Sequence, residues 1–167
     1  MTYRAPVADI AFTLRHSAGL GTGHAPTAAE GGLSPEDVDA VLQEAGRLAN
    51  DVIAPLNVVG DRTGAVFKDG AVTTPPGWKE AYRAWTAGGW NAVSLPAEWG
   101  GQGLPHALNA ACIEIWNSAA MAFGIGPVLT IGAAETLAAH GSDELKRIYL
   151  PKLVSGEWTG TMQLTEP

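Results

Sequence analysis

The chain carries one cysteine in 167 residues, Cys112, and only 16% of its side chains are charged. A single thiol allows no intrachain disulfide and no cysteine-based metal site, an economy that suits a reducing cytoplasm. Cations are the scarcer sign, with ten Lys and Arg against seventeen Asp and Glu and a formal net charge of -7. No basic cluster relieves that balance, so nucleic acid and anionic membrane surfaces are disfavoured as partners. Arg4, Pro6 and Asp9 interrupt the N-terminus, which therefore lacks the continuous apolar segment of a secretory signal. His16, His24, His106 and His140 lie far apart, with no carboxylate or second imidazole at metal-ligand spacing. Gly-x-Ser-x-Gly, phosphate-loop and His-Glu-x-x-His patterns are likewise missing.

What is present is a core. Apolar residues make up 46% of the chain and include six tryptophans, enough to exclude wholesale disorder in a chain of one-domain length. Ile115 to Ala134 carries no charge and has the length of a membrane span, which takes about 20 residues. Asn117, Ser118, Gly124, Gly126, Pro127, Thr130 and Gly132 dilute it, however, and Glu114 and Glu135 flank it without a cationic anchor. A buried helix-turn-helix is the expected form, not a span.

The pattern along the chain is mainly helical. Ile10, Phe12 and Leu14 suggest a short docking element, followed by a Gly- and Ala-rich connector from Ala18 to Gly32. Ser34-Pro35-Glu36-Asp37 is a helix start, with a capping hydroxyl, a proline for the first turn and acids at the positive end of the dipole. Val38, Val41, Leu42, Ala45, Leu48, Ala49, Val52 and Ile53 then recur at helical steps until Pro55 ends or bends the helix. Asn57 to Pro76 reads as turn-rich. A helix bearing Trp78, Ala81, Tyr82 and Trp85 follows and stops at Gly88-Gly89. Trp90 to Gly103 is too rich in Gly and Pro for a helix interior. Further helices are expected at about 106–123, 127–140 and 142–154. Glu157 to Thr165 has the β-formers and alternation of a strand, and a lone strand cannot satisfy its own backbone. The chain therefore reads as cut short, with a docking segment and connector at 1–33, a helical domain at 34–156 and the start of a β-domain at 157–167.

Individual residues point to little chemistry. Gly19, Gly21 and Gly23 lack the preceding strand and following helix of a phosphate loop, so they read as linker. Cys112 shares an apolar helix side with Leu108, Ala111 and Ile115 and reads as a small core residue. Trp78, Trp85, Trp90, Trp99, Trp116 and Trp158 read as packing anchors rather than a ligand cage.

Three ordered segments go further. Leu95-Pro96-Ala97-Glu98-Trp99-Gly100-Gly101-Gln102-Gly103 resembles a Pro-x-Glu-(aromatic)-Gly-Gly-x-Gly loop of acyl-CoA dehydrogenases. His140-Gly141-Ser142-Asp143-Glu144-Leu145-Lys146, with Tyr149-Leu150-Pro151-Lys152-Leu153-Val154-Ser155-Gly156-Glu157, is similar to that family's Tyr-Leu-Pro signature. Met162-Gln163-Leu164-Thr165-Glu166-Pro167 resembles its Thr-Glu-Pro segment. Tyr3-x-Ala5-Pro6, Asp9-Ile10-x-Phe12, Ala54-Pro55-Leu56-Asn57 and Val59-Gly60-Asp61-Arg62 look like the longer, 3-methylmercaptopropionyl-CoA dehydrogenase-like members.

The resemblance implies the N-terminal helical bundle domain of that fold, ending in the first strand of a missing β-domain. A central β-domain and a C-terminal bundle would complete the enzyme, with FAD held between domains and between subunits of a dimer or tetramer. The implied reaction is α,β-dehydrogenation of an acyl-CoA thioester in the cytoplasm, with an unspecified electron acceptor. The family's catalytic glutamate belongs to the C-terminal bundle, so no glutamate of this chain takes that role. The cofactor contacts that carry over are Met162, Gln163, Leu164 and Thr165, through backbone groups around Met162 and Leu164 and the Thr165 hydroxyl. Met162 stands where the family often has an aromatic ring. The alternative is a non-enzymatic helical interaction module derived from the same fold, and a membrane-associated helical protein rests only on the uncharged stretch.

Overall fold

A computed structural model describes residues 3–20 and 33–161. Six α-helices and one small hairpin make up the described chain: α1 (Val7–His16), α2 (Pro35–Leu48), α3 (Ala54–Thr63), β1 (Val66–Lys68), β2 (Ala71–Thr73), α4 (Trp78–Ala87), α5 (His106–His140) and α6 (Asp143–Val154). The connector residues 21–32 and the expected strand beyond Thr161 lie outside the described residues, and Glu157 to Thr161 form no strand.

The N-terminal element docks as expected through Ile10 and Leu14, but not through Phe12. Ile10, Ala11 and Leu14 are buried while Phe12 is 63% exposed and packs on His16. Helical steps of about 100° put residues 10 and 14 on one face and turn residue 12 to the opposite one. α1 lies on α2 and α5, tied by an Arg15–Asp39 ion pair. Ahead of it, the Tyr3 hydroxyl donates to the Ile115 carbonyl at 2.9 Å.

α2 begins as its sequence dictates. The Asp37 amide donates to Ser34 Oγ at 3.1 Å and the Ser34 amide donates to the Asp37 carboxylate at 3.0 Å, a reciprocal cap. At the far end the helix does not stop at Pro55. Proline has no N–H to return to the preceding turn, and the chain widens there into a π-turn, Ala49–Ile53, with the Ala54 amide reaching the Ala49 carbonyl. The helix then resumes as α3 with Pro55 in its first turn, where the missing donor costs nothing.

The turn-rich reading of Asn57 to Pro76 is thus corrected in its first part. Gly60 is not a turn residue but a site of close approach: a β-carbon there would meet the Trp78 ring at 2.5 Å. The second part is a hairpin pairing Val66 with Thr73, Phe67 with Val72 and Lys68 with Ala71. Its tip is Asp69-Gly70, both at positive φ, the twist-matched turn for two-residue loops.

α5 is the structural centre. A straight helix from residue 106 to 135 would extend roughly 43 Å, yet His106 Nδ1 lies 3.3 Å from Glu135 Oε1. The helix therefore doubles back on itself at Ala120, whose φ of -158° and ψ of 94° are extended within the helical run. The expected helix-turn-helix is present, but its turn is at Ala120, not at Gly124 to Gly126. Gly124 serves instead to bring the arms together, since a β-carbon there would sit 3.0 Å from the Asn117 side chain. α5 is the one described helix long and apolar enough to cross a membrane by length and composition. As a hairpin it packs against α2, α3 and α6.

Aromatic rings fill the space around the first arm. Trp116 meets Trp85 and Trp90 edge to face at 5.6 and 5.4 Å, and Trp78 meets Phe123 at 6.3 Å. A second cluster, Leu95, Ile131, Ala134, Leu150, Leu153 and Val154, joins the second arm to α6. The loop Leu95 to Gly103 is held by its backbone: Gly101 donates to Pro96, Gly103 to Leu95 and Gln102 to Ala92, at 3.0, 2.9 and 2.8 Å. Its glycines are required for closeness, because a β-carbon on Gly101 would lie 2.1 Å from the Leu95 carbonyl oxygen.

Two outcomes are expected. Gly101→Ala, which forces backbone apart in that loop, lowers unfolding free energy by about 1–3 kcal/mol or more in denaturant titration. The Ser34 hydrogen bonds hold the Asp37 carboxyl below its ordinary value. Its stabilisation is therefore present above the ordinary carboxylate range and is lost as pH falls through the lowered value. The gap in melting temperature between wild type and Asp37→Ala narrows at acidic pH.

Candidate functional site

α4 and the second arm of α5 diverge enough to leave a cavity of about 580 Å³. Trp78 and Tyr82 from α4 face Ala122, Phe123, Gly126, Pro127 and Leu129 from α5, and Thr159, Gly160 and Thr161 border it. The walls are apolar because the stretch that supplies the α5 side carries no charge. Two cations, Lys79 and Arg83, stand at its edge on consecutive turns of α4.

The C-terminal stretch is fixed against the cavity by specific contacts. The Gly160 amide donates to Thr130 Oγ1 at 3.0 Å, and a β-carbon on Gly160 would meet Ala133 at 2.8 Å. Upstream, the Tyr82 hydroxyl donates to the Gly156 carbonyl at 2.9 Å. The amide of buried Asn91 donates to the carbonyls of Leu153 and Val154 at 3.2 and 2.6 Å. Gly156 is at a φ of 73°, and a β-carbon there would lie 2.4 Å from Thr86. α6 is thereby latched to α4, and the chain leaves the latch along the cavity. Thr161, the last described residue, lines it. The assigned cofactor contacts Met162, Gln163, Leu164 and Thr165 lie outside the described residues.

Among its described lining residues there is no carboxylate and no imidazole. Burial raises the Tyr82 phenol above its ordinary value, which keeps it protonated as the donor to Gly156. Continuing from the cavity at Leu129, the α5 residues Met121, Ile125 and Leu129 recur at steps of four and are 62, 56 and 39% exposed, an apolar stripe left uncovered by the described residues.

Other candidates resolve into structure. Ser94, Glu135 and His106 meet at the open end of the α5 hairpin, with Glu135 Oε1 3.2 Å from Ser94 Oγ and 3.3 Å from His106 Nδ1. The carboxylate sits in the middle, whereas nucleophile activation needs the imidazole between acid and hydroxyl. The cluster pins the two arms and the loop before them. Among the described residues no group of three or more His, Cys, Asp and Glu is placed to hold a metal ion. Trp85, Trp90 and Trp116 are packing residues as expected, Trp78 packs on Phe123 and also lines the cavity, and Trp158 lies 43% exposed beside Tyr149.

The residues that sequence reasoning did not single out are those of the cavity wall. Their signal was present in two places: the uncharged run from Ile115 to Ala134, and the cations at positions 79 and 83, four apart, in a cation-poor chain.

Comparison with known proteins supplies the context. The model of the acyl-CoA dehydrogenase N-terminal domain matches residues 35–157. A 3-methylmercaptopropionyl-CoA dehydrogenase of Ruegeria pomeroyi is 46% identical over 168 aligned residues, which cover all of this chain and 28% of that protein. A butyryl-CoA dehydrogenase of Syntrophomonas wolfei is 35% identical over 135 residues, 79% of this chain and 22% of that protein. A glutaryl-CoA dehydrogenase of Desulfococcus multivorans is 33% identical over 93 residues, 54% of this chain and 24% of that protein. The chain thus spans about a quarter of the length of these relatives.

Cys112 provides a test of the core around this site. Burial pushes its thiol up to about 12, so almost no thiolate forms at pH 8. The native chain is expected to resist a thiol reagent at that pH and to react stoichiometrically once unfolded in denaturant.

Proposed function

Because the chain belongs to the acyl-CoA dehydrogenase family, we propose that it is the helical N-terminal part of a flavin-dependent enzyme that oxidises an acyl-CoA thioester across its α and β carbons. The single observation carrying the site assignment is the apolar cavity beside Thr159 to Thr161, directly ahead of the segment assigned to the flavin. In this reading α4 and the second arm of α5 form one wall of the acyl and flavin site. Domain layout follows the sequence: a docking segment to residue 33, the helical domain to 156 and the start of a β-domain from 157.

FAD would supply the two-electron acceptor for the β-hydrogen. Trp78, Tyr82 and Phe123 suit a wall that excludes water from such a ring ligand, and Met162, Gln163, Leu164 and Thr165 are proposed to contact it. The described residues offer no cradle for a dinucleotide diphosphate, so the remainder of the cofactor site and the proton-abstracting base are assigned to other parts of the protein. The uncharged α5 side of the cavity, Ala122, Phe123, Gly126, Pro127 and Leu129, favours a neutral acyl group. The exposed stripe Met121, Ile125 and Leu129 favours coverage by further protein, in a homo-oligomeric assembly placed in the cytoplasm.

The test uses the full-length protein as its gene encodes it. It is expected to purify with FAD, and butyryl-CoA or 3-methylmercaptopropionyl-CoA should bleach the flavin absorbance under anaerobic conditions. The 167-residue chain alone is expected to retain no FAD and to turn over no thioester. Full-length protein that neither binds flavin nor reduces it with any acyl-CoA overturns this reading and favours the non-enzymatic interaction module.

A further inference from the structure

A threonine inside a helix commonly returns its hydroxyl to the carbonyl four residues earlier. Thr13 and Thr136 do so, donating to Asp9 and Gly132 at 3.0 and 2.8 Å. Thr130 reaches further. It is 2% exposed, one of three buried polar residues among those described, and its oxygen accepts from the Gly160 amide 30 residues away. A partly buried amide needs an acceptor, so this bond fixes where residue 160 sits along the second arm of α5.

Close contact fixes how deep it sits. A β-carbon on Gly160 would lie 2.8 Å from the Ala133 β-carbon and 3.4 Å from the Thr130 α-carbon, so the chain runs against the helix backbone itself. Positions 130 and 133 are neighbours on one helix face. One hydrogen bond and one contact thus hold a single residue both along the helix and toward it. Thr159 and Thr161, on either side, line the cavity, and Met162 follows directly. The other ties described on this stretch lie upstream: the Tyr82 and Asn91 latch on residues 153–156, the Lys152–Glu157 ion pair, and the Trp158 amide on the Lys152 carbonyl. From Gly156 the chain can extend about 13 Å before residue 160. Over that length the latch alone leaves its heading open.

We infer that Thr130 is a positioning residue for the flavin: its hydroxyl, together with the Ala133 contact, sets the point from which Met162 to Thr165 reach the ring. The assignment rests on the flavin reading above. The hydroxyl acts through the Gly160 backbone, not by contact with the cofactor.

Titration of flavin-stripped full-length protein with FAD, read by fluorescence and by the visible absorbance band of the bound flavin, tests this. Thr130→Val keeps the shape and removes the acceptor. Its Kd for FAD is expected to rise about threefold to tenfold, the range for one lost hydrogen bond, with a shifted absorbance band. Thr130→Ser keeps the hydroxyl and should restore both within about twofold. Gly160→Ala should weaken FAD as well, and Gly160→Ala/Ala133→Gly, which clears the contact, should recover most of the loss. Ser34→Ala removes a remote helix cap; it should lower the melting temperature and leave the Kd and the band unchanged. If Thr130→Val yields no folded protein, Thr130→Ser and the Gly160→Ala pair decide. Wild-type Kd and spectrum in Thr130→Val, a serine variant as weak as the valine one, or no recovery in the double variant overturns the assignment while FAD binding by wild type keeps the flavin reading. A wild type that holds no FAD overturns both.

Discussion

The reversal of α5 at Ala120 is the constraint on which the rest of the structure depends. It converts one long apolar segment into two arms with different neighbours. The first arm meets α2, α3 and the tryptophans of the larger core, and the second meets α6 in the smaller one. Without the reversal Trp116 and Ile131 would lie far apart along one rod, and neither core would close. The hydrophobic effect alone does not select the hairpin, since a straight helix could bury the same residues against another partner. Selection comes from fit: Asn117 over Gly124 near the turn, and Ser94, Glu135 and His106 at the open end.

From that arrangement the cavity follows. α4 meets the second arm through Trp78 on Phe123, and Ala122, Gly126 and Pro127 beside that contact leave part of the facing surface unfilled. The latch of Asn91 and Tyr82 onto the end of α6 then aligns the outgoing chain with that space. The motif residues around Tyr149 to Glu157 therefore serve to aim a segment, more than to contact a ligand themselves.

Much of this was legible from the residues. The cap at Ser34 and Asp37 and the stop at Gly88-Gly89 depend on local backbone chemistry, and local chemistry is what a linear pattern records. The family resemblance rested on the loop around Gly100-Gly101 and the Tyr-Leu-Pro stretch, and the family is confirmed by the match over residues 35–157. What failed depended on distant partners. Gly60 reads as a turn until the Trp78 indole is placed on it, and Pro55 reads as ending or bending the helix until the π-turn ahead of it shows that the helix continues. Phe12 failed for a different reason: in a helix it lies on the face opposite Ile10 and Leu14. The cavity was illegible because it is a relation between α4 and α5, and neither segment alone encodes a gap. Met162 to Thr165 lie outside the described residues and add nothing to this comparison.

The π-turn at Ala49–Ile53 also sets the phase of everything after it. It holds one residue more than an α-turn, and a single residue corresponds to about 100° of rotation around a helix axis. Leu56, 5% exposed, and Gly60, beneath the Trp78 ring, both lie on the far side of that extra residue. The bulge behaves as a phase shifter: the same α3 sequence joined to α2 without it would point Leu56 and the Gly60 notch away from the indole. α3 and α4 would then lose their common seat, and the spacing that opens the cavity would go with it. A length change of one residue in α2, remote from any ligand, is thus coupled to the shape of the space on the opposite side of Trp78.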